Sequence, residues 1–168
     1  MKRAAFLDRD NTLIYDPGYI HEPDKVKLLE GVPEGLKLLK KNGFLLIVIS
    51  NQSGIGRGYF KEEDFWAVNR KLQELLKPFG VQIDGFYFCP HKPKENCKCR
   101  KPKTFLIERA AEDFGVNVSE SIVIGDKDSD VEMGFKAGCR LAVKVGVPPF
   151  DNFLKAVEFV LRFTQEEV

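Results

Sequence analysis

RAAFLDRDNT, residues 3–12, is the segment from which the fold class follows. It begins with an apolar run, Arg3 to Leu7, and continues into two carboxylates, Asp8 and Asp10, two positions apart. A short apolar run that ends in polar residues predicts a strand buried on both faces of a parallel sheet. Asp and Asn after a strand often make no more than a turn. Other strands in this chain end in polar residues too, which favours a shared site.

A second apolar run, Phe44 to Ile49, ends at Ser50 and predicts a second buried strand. Residues 33–42, between the two runs, carry leucines at helical spacing before Gly43 and predict a helix. Further strands are predicted at residues 85–89, 121–124 and 141–145, and further helices at 62–76, 104–114, 131–137 and from a cap near Asp151. This alternation predicts an α/β fold, a doubly wound, mostly parallel sheet with helices on both faces. Ligands of such sheets bind beyond the carboxyl ends of the strands.

Composition excludes several classes of protein. The chain has 168 residues, 43% of them hydrophobic and 30% charged, which predicts one globular domain over residues 1–168. The 26 Lys and Arg against 25 acids give a net charge of +1, so no general attraction to nucleic acid or to an anionic membrane is expected. The N-terminal apolar run is too short for a signal peptide, and no run reaches membrane-spanning length. We therefore expect a cytoplasmic protein. A chain of this size is expected to be a monomer, and its expected partner is a small phosphorylated metabolite.

Polar residues after the strands indicate phosphate and magnesium binding. Residues 50–54, Ser-Asn-Gln-Ser-Gly, offer hydroxyl, amide and backbone donors to a phosphate, or else form a polar turn. Residues 125–130 bring Asp126 and further acids to the edge that holds Asp8 and Asp10. Carboxylates crowded in one cleft need a cation, and oxygen ligands beside a phosphate favour Mg²⁺. Arg100 and Lys101 add a planar fork and a point charge for a phosphoryl group.

A cysteine cluster indicates a second metal site. Cys89, His91, Cys97 and Cys99 follow the pattern C-x-H, five residues, C-x-C. Three thiolates and one imidazole complete a tetrahedron, which predicts a structural zinc ion. Disulfides or reduced, partly buried thiols are the alternatives to metal binding. Cys139 lies outside the cluster and is expected to be a small core residue.

The motifs together resemble the haloacid dehalogenase superfamily of phosphohydrolases over about residues 4–147. Its four signatures occur in order: Asp8-x-Asp10-x-Thr12, Ser50, Lys101 before a helix, and Gly125-Asp126 with Asp130. The segments D-R-D-N-T, G-Y-I-H-E, S-N-Q-S-G-I-G-R-G, C-P-H, C-K-C-R-K-P-K and G-D-K-D-S-D look like one branch of that superfamily. This branch contains heptose 1,7-bisphosphate phosphatases and histidinol-phosphate phosphatases.

The resemblance implies a role for each motif residue. Asp8 is the expected nucleophile that forms a phosphoaspartate, and Asp10 the general acid and base. Asp8, the backbone carbonyl of Asp10, and Asp126 are the expected Mg²⁺ ligands, and Ser50 and Lys101 are expected to bind the transferring phosphoryl oxygens. Asp130 is expected to assist from behind the site. The residues expected around the substrate are Asp16, Gly18, Tyr19, Asn51, Gln52, Ser53, Arg100 and Lys127.

The functional prediction is a heptose 1,7-bisphosphate 7-phosphatase that works in nucleotide-activated heptose biosynthesis. No segment of cap-domain size lies between Asp10 and Ser50 or between Ser50 and Lys101, so a zinc-ordered loop at residues 89–102 is expected to stand in for a cap and to leave the site open. Hydrolysis of histidinol phosphate is the nearest enzymatic alternative. A zinc module that binds phosphate without catalysis, and a nucleic-acid 3′-phosphatase, are the others.

Overall fold

Five parallel strands form the centre of the computed structural model, which describes residues 1–165. The strands are β1 (Arg3–Leu7), β2 (Phe44–Asn51), β3 (Gly85–Cys89), β4 (Ile122–Gly125) and β5 (Leu141–Lys144). They lie in the order β3-β2-β1-β4-β5, and every pairing is parallel. The order reverses at β1, so the carboxyl end of this central strand lies at the switch point where ligands of such sheets bind.

Within residues 1–165, six helices accompany the sheet: α1 (Val32–Lys41), α2 (Ser53–Gly56), α3 (Glu62–Leu76), α4 (Phe105–Phe114), α5 (Asp128–Ala137) and α6 (Phe153–Gln165). Short 3₁₀ turns occupy Pro23–Lys25, Lys77–Phe79 and Val118–Glu120. The doubly wound α/β class predicted from the sequence is confirmed. Residues 1–165 contain no helix that is both long and apolar enough to cross a membrane.

The hydrophobic core has two halves, one on each face of the sheet. Successive side chains of β1 point to opposite faces. Ala5 and Leu7 pack with apolar residues of α1, α3 and α6, whereas Ala4 and Phe6 pack with those of α4 and α5. All four of these β1 side chains are fully buried. Burial on both faces explains why β1 has no alternation of polar residues and why its polar residues begin only after Leu7.

Several element boundaries differ from the sequence prediction. Strand β2 runs two residues past Ile49, because its pairing with β3 continues to Asn51 opposite Cys89, so Ser50 lies inside the strand. Helix α5 begins at Asp128 instead of residue 131. The prediction of Asp151 as the cap of the last helix is wrong, since the side chain of Asn152 accepts the hydrogen bond from the Lys155 N–H at 3.0 Å. Helix α2 was not predicted, because the four residues Ser-Gly-Ile-Gly are too few to show helical periodicity.

The connections at the carboxyl edge of the sheet place the functional segments. Within residues 1–165, the chain from β1 to α1 and the chain from β2 to β3 contain no inserted domain above this edge. The loop that carries residues 90–104 runs from the end of β3 to the start of α4, beside β2. The polar segments after β1, β2 and β4 therefore lie at the same edge of the sheet as the loop at residues 90–104.

Candidate active site and metal clusters

A buried ammonium group lies at the centre of the site. Lys101 Nζ donates to Asp8 Oδ1 at 2.9 Å, to Asp130 Oδ1 at 2.7 Å and to the backbone carbonyl of Ile49 at 2.8 Å. Lys101 is 5% exposed and Asp8 is 8% exposed. A buried charge is tolerated when it is paired and hydrogen-bonded, as this one is on three sides. Lys101 therefore fixes the nucleophile candidate Asp8 at the end of β1.

Three carboxylates converge around this ammonium group and leave negative charge uncompensated. One oxygen from each of Asp8, Asp126 and Asp130 lies within 4.8 Å of the others. Asp126 Oδ1 is buried and has no hydrogen-bond partner among the residues that the structure describes. One lysine neutralises one carboxylate only, and an unpartnered buried oxygen is costly. The donor set of hard oxygens fits a divalent cation such as Mg²⁺.

The crowding shifts the pKa values of these acids in opposite directions. Burial opposes ionisation of Asp8, but the Lys101 ammonium, hydrogen bonds from Asp126 and Lys101, and the Arg9 backbone N–H together lower the pKa of Asp8. Burial, the hydrogen bond to Asp8 and the negative charges of Asp8 and Asp130 raise the pKa of Asp126 to about 8. The negative charges that raise the pKa of Asp126 are those that a bound divalent cation would compensate.

The acid/base candidate Asp10 has both carboxylate oxygens hydrogen-bonded to the protein. Arg9 Nε donates to Oδ1 at 2.8 Å, and Gln52 Nε2 donates to Oδ2 at 2.9 Å. Burial raises the pKa of Asp10, although Arg9 and Gln52 act in the opposite direction. A raised pKa favours a carboxyl group that both gives and takes a proton near neutral pH.

A cavity of about 340 Å³ opens above these groups. Most of the predicted site residues line it: Asp8, Asp10, Asp16, Gly18, Tyr19, Asn51, Gln52, Ser53, Arg100, Lys101 and Lys127. Of the predicted catalytic and magnesium-binding residues in the described part of the chain, Ser50 and Asp126 do not line it. The Nη1 atom of Arg100 is buried and has no hydrogen-bond partner within the described residues, so this guanidinium group can still bind an anion.

The side chains of two predicted substrate-binding residues, Asp16 and Asn51, form hydrogen bonds with the protein backbone. Asp16 Oδ1 accepts the backbone N–H groups of Gly18 at 3.0 Å and Ile20 at 2.9 Å, which closes the loop after β1. Asn51 Oδ1 accepts the backbone N–H of Lys101 at 3.0 Å. These bonds set the walls of the cavity, and Asn51 also fixes the backbone that carries Lys101.

The cysteine motif forms a second cluster beside the first. One ligand atom from each of Cys89, His91, Cys97 and Cys99 lies within 4.8 Å of the others. Cys89 and Cys99 are paired as a disulfide, with His91 Nδ1 3.2 Å from Cys99 Sγ and Cys97 Sγ 3.6 Å from Cys89 Sγ. A disulfide needs two sulfurs only, so the approach of a third sulfur and a ring nitrogen is what a tetrahedral metal centre requires. The donor set fits zinc when its thiols are reduced.

Comparison with known proteins identifies the family. The family model described as HAD-hydrolase-like matches residues 98–148. The chain is 41% identical over 151 residues to the D-glycero-beta-D-manno-heptose-1,7-bisphosphate 7-phosphatase of Haemophilus influenzae, and the match covers 86% of this chain and 82% of that protein. The chain belongs to the heptose-bisphosphate phosphatase family of haloacid dehalogenase hydrolases. The resemblance predicted from the motifs is thereby confirmed.

Other members of this family agree. The enzyme of the same name from Helicobacter pylori strain 26695 is 45% identical over 136 residues, covering 80% of this chain and 79% of its own. Among solved structures, the D,D-heptose 1,7-bisphosphate phosphatase of B. bronchiseptica, complexed with magnesium and phosphate, superposes with a TM-score of 0.86 at 25% identity and covers 97% of this chain and 99% of its own. Enzymes of this haloacid dehalogenase family hydrolyse phosphate monoesters.

Three further residues, Asn11, Arg57 and Ser129, line the cavity of this family member and were not predicted as site residues. Gly54 also lines it, within the predicted phosphate-binding segment at residues 50–54, and Arg57 follows in the same S-N-Q-S-G-I-G-R-G motif. Gly54 is needed for close packing, because a Cβ atom there would lie 2.3 Å from the ring of Phe60 and 2.8 Å from that of Tyr19. Arg57 therefore lies in a motif that was recognised from the sequence, but residue spacing alone could not show that its side chain faces the cavity.

The raised pKa of Asp126 predicts how stability depends on pH in the metal-free protein. The ordinary value for this carboxyl is 3.8, and its folded value is about 8, so between these limits the folded chain holds a proton that the unfolded chain has lost. The stabilisation is present in full at low pH and is lost as pH rises through about 8. We expect the unfolding temperature in EDTA to fall from about pH 6 to about pH 9, measured by circular dichroism. Asp126→Asn should flatten this dependence, and an unchanged slope in that variant would contradict the assignment.

Proposed function

We propose that this chain is a magnesium-dependent phosphatase that removes the 7-phosphate of D-glycero-D-manno-heptose 1,7-bisphosphate. The observation that carries the proposal is the buried Asp8–Lys101 pair at a cavity whose wall contains further cationic side chains. Lys101 is used by Asp8 and Asp130, whereas Arg57, Arg100 and Lys127 remain on the cavity wall. A substrate with two phosphates needs such additional cations. The names of the relatives support the same substrate.

The residues divide the reaction into two steps. Asp8 attacks phosphorus through a carboxylate oxygen, the bond from phosphorus to the sugar oxygen breaks, and Asp10 gives that oxygen a proton. In the second step Asp10 takes a proton from a water molecule whose oxygen attacks the phosphoaspartate, which returns Asp8 as a carboxylate and releases inorganic phosphate. Ser50 binds the phosphoryl oxygens throughout, and the Lys101 ammonium, whose three hydrogens are donated to Asp8, Asp130 and the Ile49 carbonyl, stabilises their negative charge electrostatically.

The carboxylate cluster is the proposed magnesium site, held by Asp8, Asp126 and the backbone carbonyl of Asp10. When bound, Mg²⁺ screens the nucleophile from the phosphate and stabilises the charge that develops on the transferring oxygens. Asp130 donates no ligand in this proposal. It pairs with Lys101 at 2.7 Å and accepts the backbone N–H of Lys127 at 3.1 Å, which fixes both the lysine and the start of α5.

The cysteine cluster is the proposed structural zinc site, with Cys89, His91, Cys97 and Cys99 as its four ligands. A closed tetrahedral centre leaves no open position for substrate. Its expected effect is to order the loop at residues 89–102, which ends in Arg100 and Lys101. We further propose that residues 1–168 act as one domain, as a cytoplasmic monomer on the route to nucleotide-activated heptose.

Loss of one zinc ligand is expected to unfold the loop. Cys97→Ser should abolish stoichiometric zinc in metal analysis and lower the free energy of unfolding by about 2 kcal/mol or more, which for a chain of this size lowers the unfolding temperature by about 5 °C. Cys139→Ser is the matched control, because Cys139 is partly buried outside the cluster. A chelator should lower the stability of the wild-type protein by the same amount, whereas a reductant should not. A protein that responds to reductant alone holds its loop by the Cys89–Cys99 disulfide.

Product analysis tests the choice of substrate and bond. Incubation of the bisphosphate with enzyme and Mg²⁺, followed by ³¹P NMR, should show loss of the primary ester phosphorus and retention of the anomeric phosphorus. Retention of the primary ester with loss of the anomeric phosphorus would assign the opposite regiochemistry. No loss of either signal, with intact Asp8, Asp10 and Lys101, would favour the alternative of a phosphate-binding module.

A further inference from the structure

Arg9, the residue between the two motif aspartates, is fully buried although it carries a permanent charge. Its guanidinium group donates to Asp10 Oδ1 through Nε at 2.8 Å, and to Asn69 Oδ1 at 2.8 Å and the Phe65 carbonyl at 3.4 Å through Nη1. Its Cζ atom also lies 4.8 Å from the centre of the Phe65 ring. A buried arginine without full pairing is costly, so this arrangement fixes the side chain to α3.

Gln52 holds Asp10 from the other side and joins it to Ser50. Its Nε2 atom donates one hydrogen to Asp10 Oδ2 at 2.9 Å and the other to Ser50 Oγ at 2.7 Å. Gln52 is 4% exposed, and its backbone N–H donates to the Cys89 carbonyl at 2.8 Å. The amide has no hydrogen left for a substrate. Its position is fixed by the end of β3 behind it.

The direction of these hydrogen bonds determines what the reactive groups can offer. Ser50 Oγ accepts from Gln52, so its own hydroxyl hydrogen remains free to point to a phosphoryl oxygen. Asp10 Oδ1 accepts from Arg9 Nε at 2.8 Å, and Oδ2 accepts from Gln52 Nε2 at 2.9 Å and from Arg9 Nη2 at 3.4 Å, so its carboxyl plane cannot rotate without losing hydrogen bonds. Rigid placement of an acid/base group within hydrogen-bonding reach of the reacting atom is a large part of its catalytic value.

We infer that Arg9 and Gln52 are positioning residues that clamp the Asp10 carboxyl between α3 and β2, and that Gln52 couples this acid/base group to the phosphate-binding hydroxyl of Ser50. The inference rests on the proposed function, because it depends on the acid/base role of Asp10. It assigns no contact with substrate to Arg9 or Gln52. It revises the expected role of Gln52, whose side chain acts through Asp10 and Ser50 instead of touching the sugar.

The test separates a step that needs Asp10 from one that does not. With 4-nitrophenyl phosphate the leaving group departs as an anion, so formation of the phosphoaspartate needs no proton from Asp10, whereas its hydrolysis needs Asp10 to take a proton from water. Stopped-flow measurement gives the first step as a burst of 4-nitrophenolate and the second as the steady-state rate. The phosphoenzyme is counted by intact-protein mass after acid quench.

Gln52→Met is the principal variant, because it keeps an unbranched side chain of similar size and removes both donated hydrogens. Loosening Ser50 should slow both steps alike, whereas loosening Asp10 should slow only hydrolysis. We therefore expect the ratio of burst rate to steady-state rate to rise about tenfold, the effect of one lost hydrogen bond to a charged group. In an Asp10→Asn background, Gln52→Met should not change the ratio further.

Matched variants show whether a loss is structural. Gln73→Met removes an amide that bonds the Ile83 backbone twice, at 2.9 Å each, far from the site, and should leave the ratio unchanged. Arg9→Met should raise the ratio as Gln52→Met does, and Arg9→Lys should restore part of the loss. If Arg9→Met does not fold, Gln52→Met alone and Gln52→Met combined with Asp10→Asn still test the inference.

The outcomes distinguish this inference from the proposed function. A ratio that stays at the wild-type value in Gln52→Met, whether or not both rates fall together, overturns the clamp and leaves the phosphatase intact. A wild-type protein that releases no 4-nitrophenolate with Mg²⁺ overturns the proposed function, and the clamp with it. A raised ratio with accumulated phosphoenzyme in Gln52→Met, absent in Gln73→Met, supports both.

Discussion

Replacing Asp8 by Asn is expected to lower kcat by at least about ten-thousandfold, because the substitution removes the only proposed nucleophile while leaving its shape. The amide can still accept a hydrogen bond from Lys101, which donates to Oδ1 at 2.9 Å, so the fold should persist. Steady-state release of inorganic phosphate measures the loss, and circular dichroism confirms that the variant is folded. No phosphoenzyme should appear in the quenched protein.

The matched control for this substitution is Asp128→Asn. Asp128 stands at the start of α5, its side chain is 93% exposed, and it pairs with Lys144 at 3.1 Å on the surface. A surface pair of this kind contributes little, so activity should stay within about twofold. If Asp8→Asn retained a tenth of the wild-type rate, a carboxylate other than Asp8 would have to be the nucleophile.

Replacing Lys101 by Met should damage both activity and stability. Loss of a cation whose charge stabilises the transferring oxygens typically lowers the rate by about a hundredfold or more. In EDTA, Asp8 and Asp130 would lose their buried partner, so the free energy of unfolding should fall by about 3–5 kcal/mol. Urea titration monitored by fluorescence measures this difference. Mg²⁺ should restore part of the stability and little of the rate.

Lys144→Met provides the comparison for the lysine substitution. Lys144 is 35% exposed and pairs with the exposed Asp128, so its loss should change stability by less than about 1 kcal/mol and leave the rate unchanged. If Lys101→Met were as stable as Lys144→Met in EDTA, the buried ammonium would not be what holds the carboxylates together.

The fold was largely predictable because the strands are buried on both faces. β1, β3 and α3 have the predicted limits, since each is bounded by a change from apolar to polar residues or by Pro and Gly. The boundaries that failed depend on pairing or capping, which spacing does not contain. β2 extends to Asn51 only because β3 lies beside it, and α6 is capped by Asn152 where two adjacent residues could both serve.

The members of the site were predictable because the motifs follow the strands that carry them. Asp8, Asp126 and Lys101 meet as the order of the sheet requires, with β1 between β2 and β4. The sequence could not show which side chains face inward. Nothing in the spacing separates Gln52, which hydrogen-bonds Asp10 and Ser50, from Arg57, which lines the cavity. Nor could it show that Arg9 is buried.

The substrate itself gives the most direct test of the account. Phosphate release from D-glycero-D-manno-heptose 1,7-bisphosphate and from histidinol phosphate would be measured side by side with Mg²⁺, using wild type and Asp8→Asn. We expect kcat/KM for the heptose bisphosphate to exceed that for histidinol phosphate by at least about a hundredfold, because cationic side chains bind its second phosphate. Asp8→Asn should abolish turnover of both substrates. Equal values, or a preference for histidinol phosphate, would contradict the proposed function.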